Sequence, residues 1–343
     1  MRIYTILIVV LMFLGCKNSF SKKTKTIAKS SIRAQEQKKS IVFIAGYDQS
    51  DNTYYDNARK YFEAQNIKVV NELFSIAEII TYLNNDTIKA YDKIHMVSHS
   101  NSWLGMSLKT TNNGERITVK SITKAKEEHK IPSLNSSVTA ATKIIFHSCG
   151  LGNNKELLKA LKNIFTSKES PKIIASSYFN VFGGKFAGHY LAKPYYGYYP
   201  TAESSGPIAL SKEFKANYPN ENIDWLTALK TRKETTLGKV YSYKFNIPVD
   251  WEFTFDNKTE IPEFKGREAI MDWISESTEM SKTLYNLKIP IEKYRWKYKV
   301  EGNKLHIKGK TTVLCVLKPI LQDNDPTEYK KTIFSDESLY QIL

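Results

Sequence analysis

The chain has 343 residues, enough for a sizeable core in two domains, or in one domain with a large appendage. Hydrophobic residues make up 41% and charged residues 25%, so disorder is not the default state. The formal charge of +15 is high, but no zinc-ligand spacing, phosphate-cradling glycine loop or aromatic RNA-binding signature accompanies it. A solvated lysine-rich face accounts for it, and nucleic acid is not an expected partner.

Met1-Arg2 precedes an apolar run from Ile3 to Leu14 that is too short to span a bilayer and reads as a secretory signal. Phe13-Leu14-Gly15-Cys16 resembles the lipobox of bacterial lipoproteins, with Phe13 where that family usually has leucine. The resemblance implies a signal peptide over 1–15, cleavage before Cys16, and lipid on its sulfur. The protein is then anchored by lipid to a membrane of the bacterial cell envelope, because several acyl chains hold where one holds only marginally. Residues 16–39 are polar, basic and without apolar periodicity, as in a tether.

Regular structure is expected from 40 onward. The run 41–45 is apolar without alternation, which predicts a strand covered on both faces. Helical spacing follows over 57–65, a strand over 67–70, and a helix over 75–83 with Ser75 as its N-cap. A third strand runs over 93–98. Residues 105–119 read as an exposed hairpin or loop turning at Asn112-Asn113-Gly114. The fourth strand is 143–147, an amphipathic helix spans 155–165, and 172–176 is the fifth strand. Strand and helix thus alternate to about Ser177, the pattern of a parallel sheet with right-handed crossovers.

Beyond that point the pattern changes. Residues 183–200 are rich in Gly, Pro and Tyr and read as a loop, and 207–218 as a helix with Pro207 in its first turn. Strands with period-two alternation are expected over 239–247 and 251–255, and a single amphipathic helix over 265–284. Strands over 294–300 and 304–308 flank a Glu301-Gly302-Asn303 turn, and another strand covers 313–317. The fold class is therefore α/β: a mostly parallel sheet domain over 40–235, then a smaller antiparallel α+β region over 236–343.

Two strand ends carry the chemistry. The third strand, Lys93-Ile94-His95-Met96-Val97, runs into Ser98-His99-Ser100-Asn101. The fourth, Lys143-Ile144-Ile145-Phe146-His147, runs into Ser148-Cys149-Gly150. Ligands of open α/β sheets sit outside the carboxyl ends of strands. A thiol and an imidazole brought together there are the minimum kit for covalent acyl chemistry. His95 and His147 lie within strands and are expected to be structural, with His147 on the face of Cys149. His189 reads as a loop histidine. Of the three cysteines, Cys315 sits inside an apolar strand, so two free thiols are expected once Cys16 carries lipid, one reactive and one structural.

The order and spacing of these motifs, with about fifty residues between His99 and Cys149, resemble the clan CD cysteine peptidases, which include caspases, gingipains, clostripain and legumain. The resemblance covers about Ser40 to Phe182 and implies a caspase-like domain. It implies Cys149 as the nucleophile and His99 as the acid that protonates the departing amine of a protein or peptide substrate. It also implies an oxyanion site from the N–H groups of Ser100 and of Cys149 or Gly150, each such donor contributing about 3–4 kcal/mol. Ser176, Ser177 and Tyr178, after the fifth strand, are the candidate substrate-pocket wall. No cofactor or metal is implied. Ser100 replaces the glycine usual in that family, and two rival readings stand beside the peptidase. One is an α/β-hydrolase with Ser100 as nucleophile, opposed by the serines where its elbow wants glycine. The other is a non-catalytic surface interaction module.

Overall fold

A computed structural model describes residues 39–48, 52–88, 90–183 and 188–343. The lipobox Cys16, the signal segment and the tether lie outside the described residues, except Lys39 at the tether's end. In chain order the first half contains β1 (Ser40–Ala45), α1 (Thr53–Glu63), β2 (Lys68–Leu73), α2 (Ile76–Asn85) and β3 (Lys93–Val97). The small strands β4 (Ser100–Asn101), β5 (Gly105–Lys109) and β6 (Arg116–Ile117) precede α3 (Val119–Glu127), β7 (Lys143–His147), α4 (Lys155–Phe165) and β8 (Lys172–Ser176). The second half comprises β9 (Phe179–Phe182), β10 (His189–Pro200), α5 (Gly206–Asn217), α6 (Trp225–Lys230), β11 (Tyr241–Thr254), α7 (Arg267–Glu276) and α8 (Thr278–Leu287). It closes with β12 (Arg295–Glu301), β13 (Lys304–Pro319), β14 (Leu321–Gln322), β15 (Asp325–Tyr329) and β16 (Tyr340–Ile342).

The protein is α/β, with a mostly parallel sheet and a separate antiparallel one. The first sheet has the order β16-β8-β7-β3-β1-β2, in which only β16 runs antiparallel to its neighbour. One face, through Phe43, Met96 and Phe146, packs on Ile79, Ile80 and Leu158 of α2 and α4. The other face, through Val42, Ile44 and Val97, packs on Tyr55, Ala58 and Phe62 of α1. Burial on both faces is why these strands are apolar without alternation. Ser75 and Glu78 form a reciprocal capping box at the start of α2, satisfying two otherwise orphaned N–H groups.

The second sheet has the order β11-β13-β10-β9, with β12 also paired to β13. It corrects several expectations. The stretch read as a loop over 183–200 contains the strand β10, paired on one side to β13 and on the other to β9. Its tyrosines are strand formers, and that pairing outweighs the turn signal of Pro and Gly. The strands expected over 239–247 and 251–255 are one continuous β11, which carries Pro248 because it is an edge strand. Those over 304–308 and 313–317 likewise merge in β13. The single helix over 265–284 is broken at Ser277, whose extended backbone ends α7 and whose side chain accepts the Met280 N–H to start α8. The hairpin over 105–119 is anchored rather than exposed, with Met106, Leu108 and Ile117 fully buried.

The proposed division at 235/236 runs through this second sheet, because β10 lies before it and β11 and β13 after it. The chain end also returns to the first sheet as β16. Residues Lys38–Leu343 accordingly form one compact unit. Among the described residues no helix is long and apolar enough to cross a membrane.

Candidate active site

β3 and β7 are parallel neighbours, with Val97 directly opposite His147. His99 and Cys149 each lie two residues beyond that pair, so the two chains deliver them to the same edge of the sheet. Both line a single cavity of about 510 Å³, together with Tyr54, Ser100, Phe179 and Phe182. Gly150 sits at φ +69°, a left-handed conformation that turns the chain sharply after the thiol and suits glycine.

The imidazole is held by α1 and the segment before it. Asn52 caps α1 by accepting the Tyr54 N–H on Oδ1, and its Nδ2 donates to His99 Nε2 at 2.8 Å. The cap fixes which way the amide points, so Nε2 accepts and the ring proton sits on Nδ1. Tyr55 Oη accepts the His99 N–H at 3.0 Å, and the ring lies 4.6 Å from that of Tyr54. Burial lowers the His99 pKa; Asp48 opposes that and Arg116 adds to it.

The thiol is covered. Cys149 is 8% exposed, and its Sγ donates to the Asn180 carbonyl of β9 at 3.7 Å. Burial pushes its pKa up to about 12. At neutral pH the site therefore holds a thiol and a neutral imidazole. Cys149 and Cys315 are both free, and both belong to one apolar cluster between the sheets.

Ser100 serves a local role in place of glycine. Its hydroxyl is buried and donates to the Cys149 carbonyl at 2.7 Å, tying the His99 strand end to the Cys149 strand end. That commitment leaves no base hydrogen-bonded to Ser100 Oγ among the described residues. The Gly150 N–H donates to the Tyr178 carbonyl at 3.1 Å, so it is occupied in this conformation rather than aimed at an oxyanion. The pocket wall also lies one step further along the chain than expected. Ser176 is fully buried, its Oγ donating to the Leu339 carbonyl and accepting the Tyr178 N–H. The Ser177 carbonyl accepts from Asn153. Neither serine nor Tyr178 lines the cavity; Phe179, Asn180, Val181 and Phe182 do.

His95 and His147 share a ring-to-ring hydrogen bond, Nδ1 to Nε2, at 2.9 Å, and both are buried. Burial lowers both pKa values, that of His95 to about 3. His189 stands on β10, not in a loop, with its ring stacked on Phe182 at 4.4 Å.

Sequence reasoning missed Asn52 and Arg116. Asn52 carried a detectable signal, as a capping residue ahead of Tyr54 and Tyr55. Arg116 carried none, because nothing local distinguishes it from the other basic residues of a hairpin. Among the described residues no group of three or more His, Cys, Asp or Glu side chains is placed to hold a metal ion. No protein-family model matches the sequence, and no curated protein matches it either.

Proposed function

We propose that this chain is a cysteine peptidase of the clan CD type, anchored by lipid on Cys16 to the bacterial cell envelope. The observation that carries the reading is the placement of His99 and Cys149. Adjacent parallel strands end in register, and each adds two residues before presenting its reactive group to a common cavity. In the reaction the Cys149 thiol loses its proton and its sulfur bonds to the peptide carbonyl carbon. The thiol proton passes to His99 Nε2 as the Asn52 amide releases it, and the resulting imidazolium gives a proton to the departing amine. Water then cleaves the thioester and regenerates the thiol.

The described conformation is a resting one. Its thiol is protonated and turned to the Asn180 carbonyl, so a substrate must replace that contact and its N–H donors must become free before the thiolate accumulates.

A peptide bearing a thiol-reactive electrophile, applied to the full chain, tests this. Expected is stoichiometric labelling that disappears in Cys149→Ala while the fold persists by circular dichroism. Labelling of Ser100 by a fluorophosphonate would replace this reading with the serine hydrolase. Silence toward both reagents, at substrate concentrations that saturate binding, would leave the interaction module.

A further inference from the structure

Far along the antiparallel sheet, β12, β13 and β11 lie side by side with one face toward water. Trp296, Leu305 and Ile307 point from these strands into the core, and the alternate residues face out. Most of the outward residues are charged. Near the Glu301-Gly302-Asn303 turn the charges pair, Lys299 with Glu301 and Lys304 with Glu252. At the other end they do not. Arg295 stands directly opposite Lys310, and Lys297 directly opposite Lys308. Asp250 of β11 reaches Lys308 at 3.0 Å, but among the described residues no carboxylate lies within ion-pair distance of Arg295, Lys297 or Lys310.

Like charges directly opposite each other on adjacent strands are destabilising, and two such pairs stand next to each other here. The four cations, with Thr201 and Pro248, line a recess of about 390 Å³ in which Asp250 is the single acid among the described residues. All four are exposed, so an anionic surface can approach them without the cost of burying a charge. The outward positions of β12, and of β13 over 304–310, hold no Phe, Tyr or Trp on which a nucleic-acid base could stack. The segment 16–39 is rich in lysine, carries Glu36 as its one acidic residue, and ends where β1 begins. Fully extended, a segment of that length reaches about 80 Å. A chain lipidated at Cys16 therefore keeps this face at high effective concentration beside the membrane.

We infer that the basic face of β12 and β13 docks on an anionic phospholipid surface, with headgroup phosphates seated among Arg295, Lys297, Lys308 and Lys310. The phosphates supply the counter-charge that the sheet lacks. The guanidinium suits phosphate oxygens two at a time, and the lysines act on them as point charges. Docking also fixes the orientation of a folded unit that a tether alone leaves free to turn. The inference rests on the lipid anchor proposed above to bring the face to the membrane, and it makes no use of the thiol.

The test mixes the full chain with vesicles of phosphatidylcholine alone, or of equal parts phosphatidylcholine and phosphatidylglycerol. Sedimentation with the neutral vesicles reports the anchor. Acylation of lysines by a succinimidyl ester, read by mass spectrometry, reports the docked face. Lys297 and Lys310 should be acylated about fivefold more slowly on the anionic vesicles than on the neutral ones, the factor expected for one lysine at such a surface. Lys120 and Lys126, exposed on α3, should react equally on both. High salt should remove the difference at Lys297 and Lys310. Lys297→Gln with Lys310→Gln should abolish the protection of Lys308, whereas Lys120→Gln with Lys126→Gln, the same change in net charge, should leave it. Equal acylation of Lys297 and Lys310 on both vesicles would overturn the inference, and so would equal protection of Lys120 and Lys126; neither comparison needs a variant. Protection by duplex DNA, with none on the anionic vesicles, would replace the membrane with nucleic acid as the partner. Protection on anionic vesicles of a chain that does not sediment with neutral ones would keep the inference and overturn the anchor. Sedimentation with both vesicles and no protection on either would do the reverse.

Discussion

The two sheets of this protein divide the work of making a site. The parallel sheet places chemistry: its strands stop in register, and the residues just past their ends fall on one rim. The antiparallel sheet covers chemistry: β9 runs across that rim, accepts the Cys149 thiol on the Asn180 carbonyl, and lays Phe179 and Phe182 along the cavity. Parallel strands end at one edge because each needs a crossover to return, so their C-terminal ends gather on one side. Antiparallel strands leave no such common rim, but they extend long surfaces, and β13 spans sixteen residues as the shared neighbour of β10, β11 and β12. A thiol positioned by one sheet is thus held protonated by the other.

The largest expected effect breaks that division at the cover. With its pKa at about 12, Cys149 should react with iodoacetamide at pH 8 roughly 10³-fold more slowly than a free thiol. Its rate should rise tenfold per pH unit to at least pH 10. A plateau below pH 9 would mean that the thiolate forms despite the cover. Truncating the cover by Phe179→Ala should accelerate the reaction, if the variant still melts cooperatively.

The interface between the sheets supplies the second. His95 and His147 of the parallel sheet are buried against Phe62 of α1, Phe182 of β9 and Phe334, with His189 of β10 and Lys93 as the charged or titratable groups acting on them. Their folded pKa values lie below the ordinary histidine value. As pH falls below about 6.5, the unfolded chain therefore takes up protons that the folded one refuses. Stability should drop with falling pH, toward about pH 3 for His95, by up to ~1.4 kcal/mol per pH unit for each histidine. Denaturant melts at pH 7 and 5 check this. His147→Gln should flatten the dependence, and an unchanged slope would remove these rings as its cause.

A smaller effect sharpens the placement side. Asn52→Ala should cost about 1 kcal/mol through the lost α1 cap. It should also free the His99 tautomer, which nitrogen-15 chemical shifts of the imidazole read directly. Asn52→Asp, which keeps a cap but cannot donate to Nε2, should retain the stability and still change those shifts.

Much of the parallel sheet was legible in the chain itself. Continuous apolar runs such as Ile41-Val42-Phe43-Ile44-Ala45 specify burial on both faces, and strands over 143–147 and 172–176 have the expected bounds. Single-residue signals were legible too, as with Ser75 at the start of α2. The pairing of β10 was not, because whether Tyr195 and Tyr196 form a strand depends on Val316 and Cys315 opposite them, more than a hundred residues away. The role of Ser100 was hidden for the same reason, since its acceptor belongs to a different strand end.

By itself, then, the sequence determined the alternation of strand and helix and the chemical identity of the two strand ends. Both follow from side chains and their near neighbours. Only the tertiary structure decided that the thiol is covered, that Asn52 sets the imidazole proton, and that Arg116 shares their cavity. Ionisation and hydrogen bonding depend on what surrounds a group in space, and those surroundings come from segments that the chain order keeps far apart.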